Sequence, residues 1–580
     1  MTKSLKLKRK SKSTTPPLAS VAPASVAPAS GSTPKLHTTA NANAKENTTK
    51  VIKTRSVSTK RKKEHQPQSV QSSNYKSIFS DSPVYDLLHY FEKAPDQWAA
   101  RYILILSSLL LRTAVGLGGH SGFGKPPMYG DFEAQRHWME ITNHLPLSQW
   151  YFFDLQYWGL DYPPLTAYHS WLLGKIGSFI DYTWFQLNRS RGKETRSLIN
   201  FMRLTSIASD LALYIPAVLL LANILGKKFH LSRMDQIVVA LVIINQPSLV
   251  LIDHGHFQYN SVMLGLFLFS VIDLVRGNLV LASIWFISCI NFKQMGLYYS
   301  VFIFFYILSQ LQNLVELIAV GATVVVTQII LVLPFIMTEH PLNSLQQILI
   351  RVFPFNRGLF EDKVANFWCT TNVIIKYREF LDSSQLSKLA LAATLVSILP
   401  INVYIFYKLR KLQKRLESDK DVVNHKAQYL IYGFAYNALS FYLFSYQVHE
   451  KSILVPLCPI LLLLYINPGD IAIIQWVQNV AVFSMYPLLY KDDLVLQYFV
   501  IVLLMNWLLG WKNLVYPTKL CLNNLVIGVV YLAMIVYHIV DAVVLTPARY
   551  PDLWVILNTG ISFVAFGYFW LWLIYRICKV

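Results

Sequence analysis

Beyond about residue 100 the chain is a succession of apolar runs, each near the length of about 20 residues that a helix needs to cross a hydrocarbon core of about 30 Å. Such runs lie near residues 100–118, 201–225, 236–252, 259–276, 278–293, 296–312, 314–336, 387–407, 427–446, 452–467, 470–488, 493–511, 520–541 and 555–577. They predict an all-α polytopic membrane protein with about 14 transmembrane helices. Composition agrees. Of the 580 residues 54% are hydrophobic and only 14% charged, where soluble domains carry about 25% charge.

The net charge of +20 would suit a nucleic-acid binder if it covered a folded surface. It does not, because residues 1–76 hold 16 Lys and Arg against 2 Glu, which leaves +6 for everything that follows. That segment is rich in Ser, Thr, Pro and Ala and cannot bury enough apolar surface to offset its chain entropy. It is expected to be a disordered tail, held in the cytosol by its charge and touching anionic membrane lipid, with no nucleic-acid partner. Residues 77–580 are then the membrane domain. With the tail inside, the inner loops contain Lys227, Lys228, Arg233, Arg276, the run from Lys408 to Lys426, Lys512 and Lys519, and the C-terminal Arg576 and Lys579. Inner loops are the basic ones, as the positive-inside rule requires, and an even helix count returns the C-terminus to the cytosol.

The outer loops are then 119–200, the turn at 253–260, the connection around 291–294, the loop 337–386 and the turn at 447–452. The latter two loops and the first carry most of the polar clusters that suit chemistry, and all of these clusters fall on one face. A transporter would place its ionisable groups near the bilayer midplane. This arrangement suits an enzyme whose site opens outward. The five cysteines form no CxxC pair, so neither a disulfide framework nor a zinc site is indicated. No nucleotide-binding, hydrolase or zinc-protease motif occurs.

The stretch Tyr129–Trp171 carries Asp131, Glu133, Arg136, His137, Glu140, Asp154 and Asp161 among many aromatics. A single charge at the bilayer centre costs about 2.5 to 3.5 kcal/mol, so this segment lies outside the bilayer or at its surface. Asp131 and Glu133 follow a helix end and suit a basic carboxylate with partial solvent exclusion; an acidic cap on a loop helix reads equally well. Asp161 in WGLDYPP is a second catalytic element or part of a rigid turn. The turn DHGHFQYN offers His254, His256 and Gln258, a weak metal set better suited to hydrogen-bonding sugar or phosphate. In QVHEKS, His449 and Lys451 suit an anionic headgroup, against the plainer reading of an interfacial snorkelling lysine. The loop 337–386 crowds Arg351, Arg357, Glu361, Asp362 and Lys363 with Phe and Trp368, which fits sugar stacking and phosphate binding or an amphipathic helix on the membrane.

The strings GDFEAQRHWMEIT, WGLDYPPLTAYHSW, DHGHFQYNS, RVFPFNRGLFEDKVANFWC and VHEKSILVP, in this order, resemble the dolichyl-phosphate-glucose-dependent α-1,3-glucosyltransferases of N-glycan assembly in the endoplasmic reticulum. The likeness covers nearly everything after residue 80 and leaves the tail unmatched. It implies a GT-C type membrane fold and an endoplasmic reticulum location with the outer face luminal. The donor would be dolichyl phosphate glucose, the acceptor a dolichyl-diphosphate-linked oligosaccharide, and the transfer inverting, with neither metal nor cofactor. The wording of the first string favours addition of the first glucose to the nine-mannose acceptor. The alternatives are the sister enzyme that adds the second glucose and a lipid-linked sugar transporter. Carried onto this chain, Asp131 would be the general base for the acceptor 3-hydroxyl. His449, Lys451 and Arg357 would hold the donor phosphate, and Glu133, Asp161, His254, His256, Gln258 and Trp368 would contact substrate.

Overall fold

A computed structural model describes residues 77–92, 97–354, 358–360, 362–414, 420–514 and 522–580; the expected tail 1–76 lies outside the described residues. These residues contain helices and, among them, no strand. Each of the fourteen apolar runs is helical over most of its length. Six described helices are long and apolar enough to cross a membrane: Arg196–Lys228, Arg233–Phe257, Leu314–Ile336, Ser383–Gln413, Leu522–Val543 and Leu553–Lys579. The other runs fold as shorter pieces. The Leu454–Ile466 helix has 13 residues, a rise of about 20 Å, which alone does not span a core of about 30 Å.

Helix position follows from which faces are apolar. Leu454–Ile466, LVPLCPILLLLYI, is apolar on every side and is buried on nearly every side, between Lys420–Phe444 and Ile471–Ser484. Leu314–Ile336 is just as apolar yet exposes Leu317, Ile318, Val325, Val326, Ile329 and Ile330. Such a face on a helix of spanning length meets lipid. A buried cation within the bundle, Arg112, is met by a carboxylate and a backbone oxygen. Arg112 Nε lies 2.5 Å from Asp210 Oδ2, and its Nη2 donates to Ile244 O at 2.7 Å.

Polar contacts between loops join segments of the same expected side. On the outer side Asp492 meets His256, Lys363 meets Asp552, and Lys125 donates to Lys491 O. On the inner side Arg576 pairs with Asp470 at 2.8 Å, Lys512 with Asp81 at 3.2 Å, and Arg410 donates to Leu311 O at 2.8 Å.

The Asp131–His144 helix buries every residue from Phe132 to Thr142. A helix that buries Glu133, Arg136 and Glu140 must pair them, and their i,i+3 and i,i+4 spacing brings them together. Arg136 Nη2 donates to Glu133 Oε1 at 2.6 Å and Glu140 Oε2 at 2.8 Å, and Nη1 donates to Ser190 Oγ at 2.7 Å. Asn188 N donates to Glu140 Oε1 at 2.6 Å, so the helix is clamped to the loop near residue 190. Burial pushes the Glu140 carboxyl up, but hydrogen bonds and charge from His137 and Arg136 outweigh it and bring it from 4.5 down to about 2. Its stabilisation is therefore present above pH 4.5 and lost as pH falls toward about 2. Breaking such a buried pair costs about 3–5 kcal/mol, so Glu140→Gln is expected to lower the Tm of the purified protein at neutral pH. The gap to wild type should close as the pH is taken down through the acid range; a gap independent of pH would contradict this account of the clamp.

Candidate active site

Asp131 begins its helix because Gly130 lets the chain pass against Ser121. A Cβ on Gly130 would lie 2.6 Å from Ser121 Oγ and 2.7 Å from Ser121 O, which no side chain tolerates. The Asp131 amide then donates to Ser121 Oγ at 3.1 Å, and its side chain projects from the positive end of the helix.

The donors to that carboxylate come from far along the chain. The Arg233–Phe257 helix closes in a π-helical turn, Leu251–Phe257, and Phe257 adopts a left-handed φ of 86°. A β-unbranched but bulky residue there is unusual, and π-turns concentrate at functional sites. The redirected backbone places His256 and Gln258 beside one oxygen. His256 Nε2 lies 3.0 Å from Asp131 Oδ2, and Gln258 Nε2 donates to the same atom. Lys451, from the turn at 447–452, donates its Nζ there as well and stands 3.1 Å from His256 Nε2.

Behind these lies a further tier. His256 Nδ1 is 2.5 Å from Asp492 Oδ2. Gln258 Oε1 accepts from Lys293 Nζ at 2.8 Å, and Lys293 also donates to Asn260 Oδ1 at 2.6 Å and stands 4.9 Å from the centre of the Tyr162 ring. Burial pushes the Asp131 carboxyl up, but the Lys451 ammonium and the hydrogen bond and charge of His256 hold it well below the usual carboxylate range. A quarter of its side-chain surface stays exposed, so the charged group is reachable from the pocket it faces.

That pocket has a volume of about 360 Å³, at the small end of ligand sites. Trp138, Trp158 and Tyr162 supply an aromatic wall, Arg351 and Lys451 supply cations, Lys293 supplies an amine, and Asp161 and Asp362 add carboxylates to that of Asp131. Arg351 donates to Gly159 O at 2.8 Å and Leu160 O at 3.2 Å, which ties the loop 337–354 to the WGLD segment. His449 stands on the rim and pairs with Asp362 through Nδ1. A charged carboxylate, fixed cations and aromatic faces in one water-accessible cavity suit a sugar joined to a phosphate.

Of the residues singled out in the sequence, Asp131, Asp161, Gln258, Arg351, Asp362, His449 and Lys451 line this pocket, and His256 stands directly behind Asp131. Glu133 does not line it. Its oxygens are taken by Arg136 and by Tyr157 OH at 2.9 Å. His254 turns inward to Asp210 Oδ2 at 3.0 Å, and Trp368 is buried with its Nε1 donating to Phe444 O at 2.8 Å. Arg357 lies outside the described residues. Sequence reasoning passed over Lys293 and Asp492. Lys293 is a lone charge in a short connection between two apolar runs, and Asp492 stands in the short charged string Lys491–Asp493 at another such connection.

Residues 104–575 match the family model of the ALG6, ALG8 glycosyltransferase family. The chain is similar to the dolichyl pyrophosphate Man9GlcNAc2 alpha-1,3-glucosyltransferase of Saccharomyces cerevisiae, 43% identical over 534 residues, covering 86% of this chain and 95% of that protein. The probable dolichyl pyrophosphate Man9GlcNAc2 alpha-1,3-glucosyltransferase of Schizosaccharomyces pombe is 42% identical over 507 residues, covering 86% and 96%. The Gallus gallus protein of the same name as the first is 42% identical over 416 residues, covering 70% and 77%.

The electrostatics give a prediction independent of turnover. In the wild-type protein, infrared difference spectra against Asp131→Asn are expected to show Asp131 as a carboxylate throughout the mildly acidic range. In Lys451→Met, burial is left less opposed, and the protonated carboxyl band should appear at higher pH. A titration unchanged by loss of Lys451 would contradict the assigned cause.

Proposed function

The chain belongs to the ALG6, ALG8 glycosyltransferase family, and from this premise we propose that its pocket performs the reaction in the relatives' names, with dolichyl phosphate glucose as donor. Glucose is transferred in α-1,3 linkage to the nine-mannose oligosaccharide on dolichyl pyrophosphate. The protein works in the endoplasmic reticulum membrane with the pocket on the luminal side. The observation that carries this reading is a reachable carboxylate, Asp131, facing a cavity that also presents the Arg351 and Lys451 cations.

The chemistry needs little more than those groups. The leaving group is already a phosphate, so no acid has to protonate it, and the demands are a base on the acceptor side and fixed positive charge on the donor side. Asp131 takes the proton of the acceptor 3-hydroxyl as that oxygen attacks the anomeric carbon from the face opposite the phosphate. The bond from carbon to phosphate oxygen breaks and its electron pair leaves with dolichyl phosphate. A β-linked donor thereby gives an α-linked product. In the free protein Lys451 spends its charge on Asp131. With donor bound, the ammonium is shared with the phosphate, beside Lys293 and Arg351 and with His449 at the rim. Trp138 and Trp158 offer faces on which the acceptor sugars stack.

Purified protein given a short-chain dolichyl phosphate glucose and the nine-mannose acceptor in excess EDTA is expected to add one hexose, read by mass. Asp131→Asn should lower turnover by at least about 10²-fold, the lower end of what a general base contributes, while its melting transition stays near wild type. Extension only of an acceptor that already carries one glucose would assign the second step instead. No extension of either acceptor by folded wild-type protein would overturn the reading.

A further inference from the structure

A second cavity, of about 530 Å³, shares no lining residue with the pocket at Asp131. It lies between the end of the Arg196–Lys228 segment, the turn at 276–278 and the beginnings of the Leu314–Ile336 and Lys420–Phe444 helices, all on the expected inner side. Three cations line it: Lys228, Arg276 and Lys426. Among the described residues neither lysine has an ion-pair partner. Lys426 Nζ meets the amide oxygen of Gln413 at 3.3 Å, and Lys228 feels the like charge of Lys426. The carboxylate in the lining, Glu316, is already used, since it accepts from the Gln312 amide at 2.8 Å and from Asn313 Nδ2 at 3.3 Å and so caps its own helix. Arg276 comes no nearer than 4.0 Å to Asp273 and is half exposed.

The backbone adds to this positive charge. The Leu279–Phe292 helix begins at the cavity, with Leu279 and Val280 in the lining. First-turn amides have no acceptor within their own helix, and Asn278 Oδ1 takes that of Leu281 at 3.3 Å. The positive end of the helix therefore points where the side-chain cations gather, an arrangement that favours an anion. Lipid adjoins the same place. Val280 and Leu281 on this helix, and Leu314, Val315 and Ile318 on the Leu314–Ile336 helix packed against it, are exposed.

We propose that this cavity binds the phosphate of an anionic phospholipid from the inner leaflet, with the acyl chains lying along the exposed faces of the Leu279–Phe292 and Leu314–Ile336 helices. Cations and a helix terminus select phosphate, and the apolar faces that start at the cavity select a phosphate carried on a lipid over one free in solution. The site differs from the general attraction of a basic inner surface. Lys227 and Arg233 are exposed and stand outside the lining, whereas Lys228 and Lys426 are half-buried within it. The inference is independent of the chemistry assigned to Asp131.

The test is native mass spectrometry of the purified full-length protein in detergent, with phosphatidylserine, phosphatidylcholine and inorganic phosphate as separate probes. Wild type is expected to retain one phosphatidylserine in clear preference to phosphatidylcholine, and inorganic phosphate should not displace it. A cation near a membrane surface strengthens attraction to anionic lipid about fivefold. The double variant Lys228→Gln, Lys426→Gln should therefore hold phosphatidylserine about 25-fold more weakly. Lys227→Gln with Arg233→Gln removes the same charge from the neighbouring surface and should stay within about twofold of wild type. Arg276→Gln, at a half-exposed position, decides the matter if the first double variant does not fold, with an expected loss of about fivefold. Wild type that holds both lipids equally would overturn the proposal, as would undiminished retention by the lining variants. Equal losses in the two double variants would reduce the site to diffuse surface attraction and overturn it too. Inorganic phosphate that binds and excludes phosphatidylserine would assign the cavity to a solute and contradict the lipid.

Discussion

A carboxylate at the rim of an apolar helix bundle has to stay charged without bulk water to solvate it. An unpaired ion moved into such surroundings costs several kcal/mol even after relaxation, so Asp131 exists as an anion only because other groups replace its water. Its Oδ2 receives His256, Gln258 and Lys451. None of these is near it in sequence, and each is held by the end of a different or distant helix. The bundle must therefore bring the turn at 253–260 and the turn at 447–452 to the start of the Asp131–His144 helix before the site exists. Gly130 and the left-handed Tyr129 and Phe257 are places where the backbone yields to this requirement. The same donors that keep the anion charged also mark where a phosphate would sit, since cations placed for one anion are available to a second.

Two pairs of residues separated by two positions show how the chain divides support from chemistry. Asp131 and Glu133 share a short acidic motif, but residues i and i+2 on a helix do not face the same way. Asp131 looks into the pocket while Glu133 joins Arg136 and Glu140 in the clamp beneath it. His254 and His256 part in the same manner, one toward the Arg112–Asp210 pair and the other toward Asp131. The clamp and the buried pair hold the walls, while Asp131 meets the cavity and His256 supports it from behind. Elsewhere in the bundle, polar side chains satisfy one another, as in the reciprocal Asn402–Asn437 contacts at 2.8 and 2.7 Å.

Much of this was legible in the sequence for a physical reason. Hydrocarbon thickness fixes how long an apolar run must be, so the helical runs, and the face on which polar strings gather, can be read directly. The number of crossings cannot be read so simply. Pieces such as Leu454–Ile466 are shorter than a bilayer and are buried within protein, where apolar length no longer measures span. Asp131, Gln258, His449 and Lys451 stood out because they lie in dense polar strings. Glu133, His254 and Trp368 lie in the same strings, and only side-chain direction separates them. Lys293 and Asp492 lie in short connections between apolar runs, and their meaning comes from contacts that no local pattern encodes.

The central claim is that Asp131, and no other carboxylate in the pocket, meets the hydroxyl that becomes glucosylated. Asp161 and Asp362 line the same cavity and are the groups that would replace it. The most direct measurement is a structure of the protein with the nine-mannose acceptor and a non-transferable donor analogue bound. The account predicts the terminal mannose 3-hydroxyl within hydrogen-bonding distance of Asp131, and the donor phosphate across the pocket among Lys293, Arg351 and Lys451. A 3-hydroxyl seated on Asp161 or Asp362, with Asp131 still closed against Lys451, would contradict it.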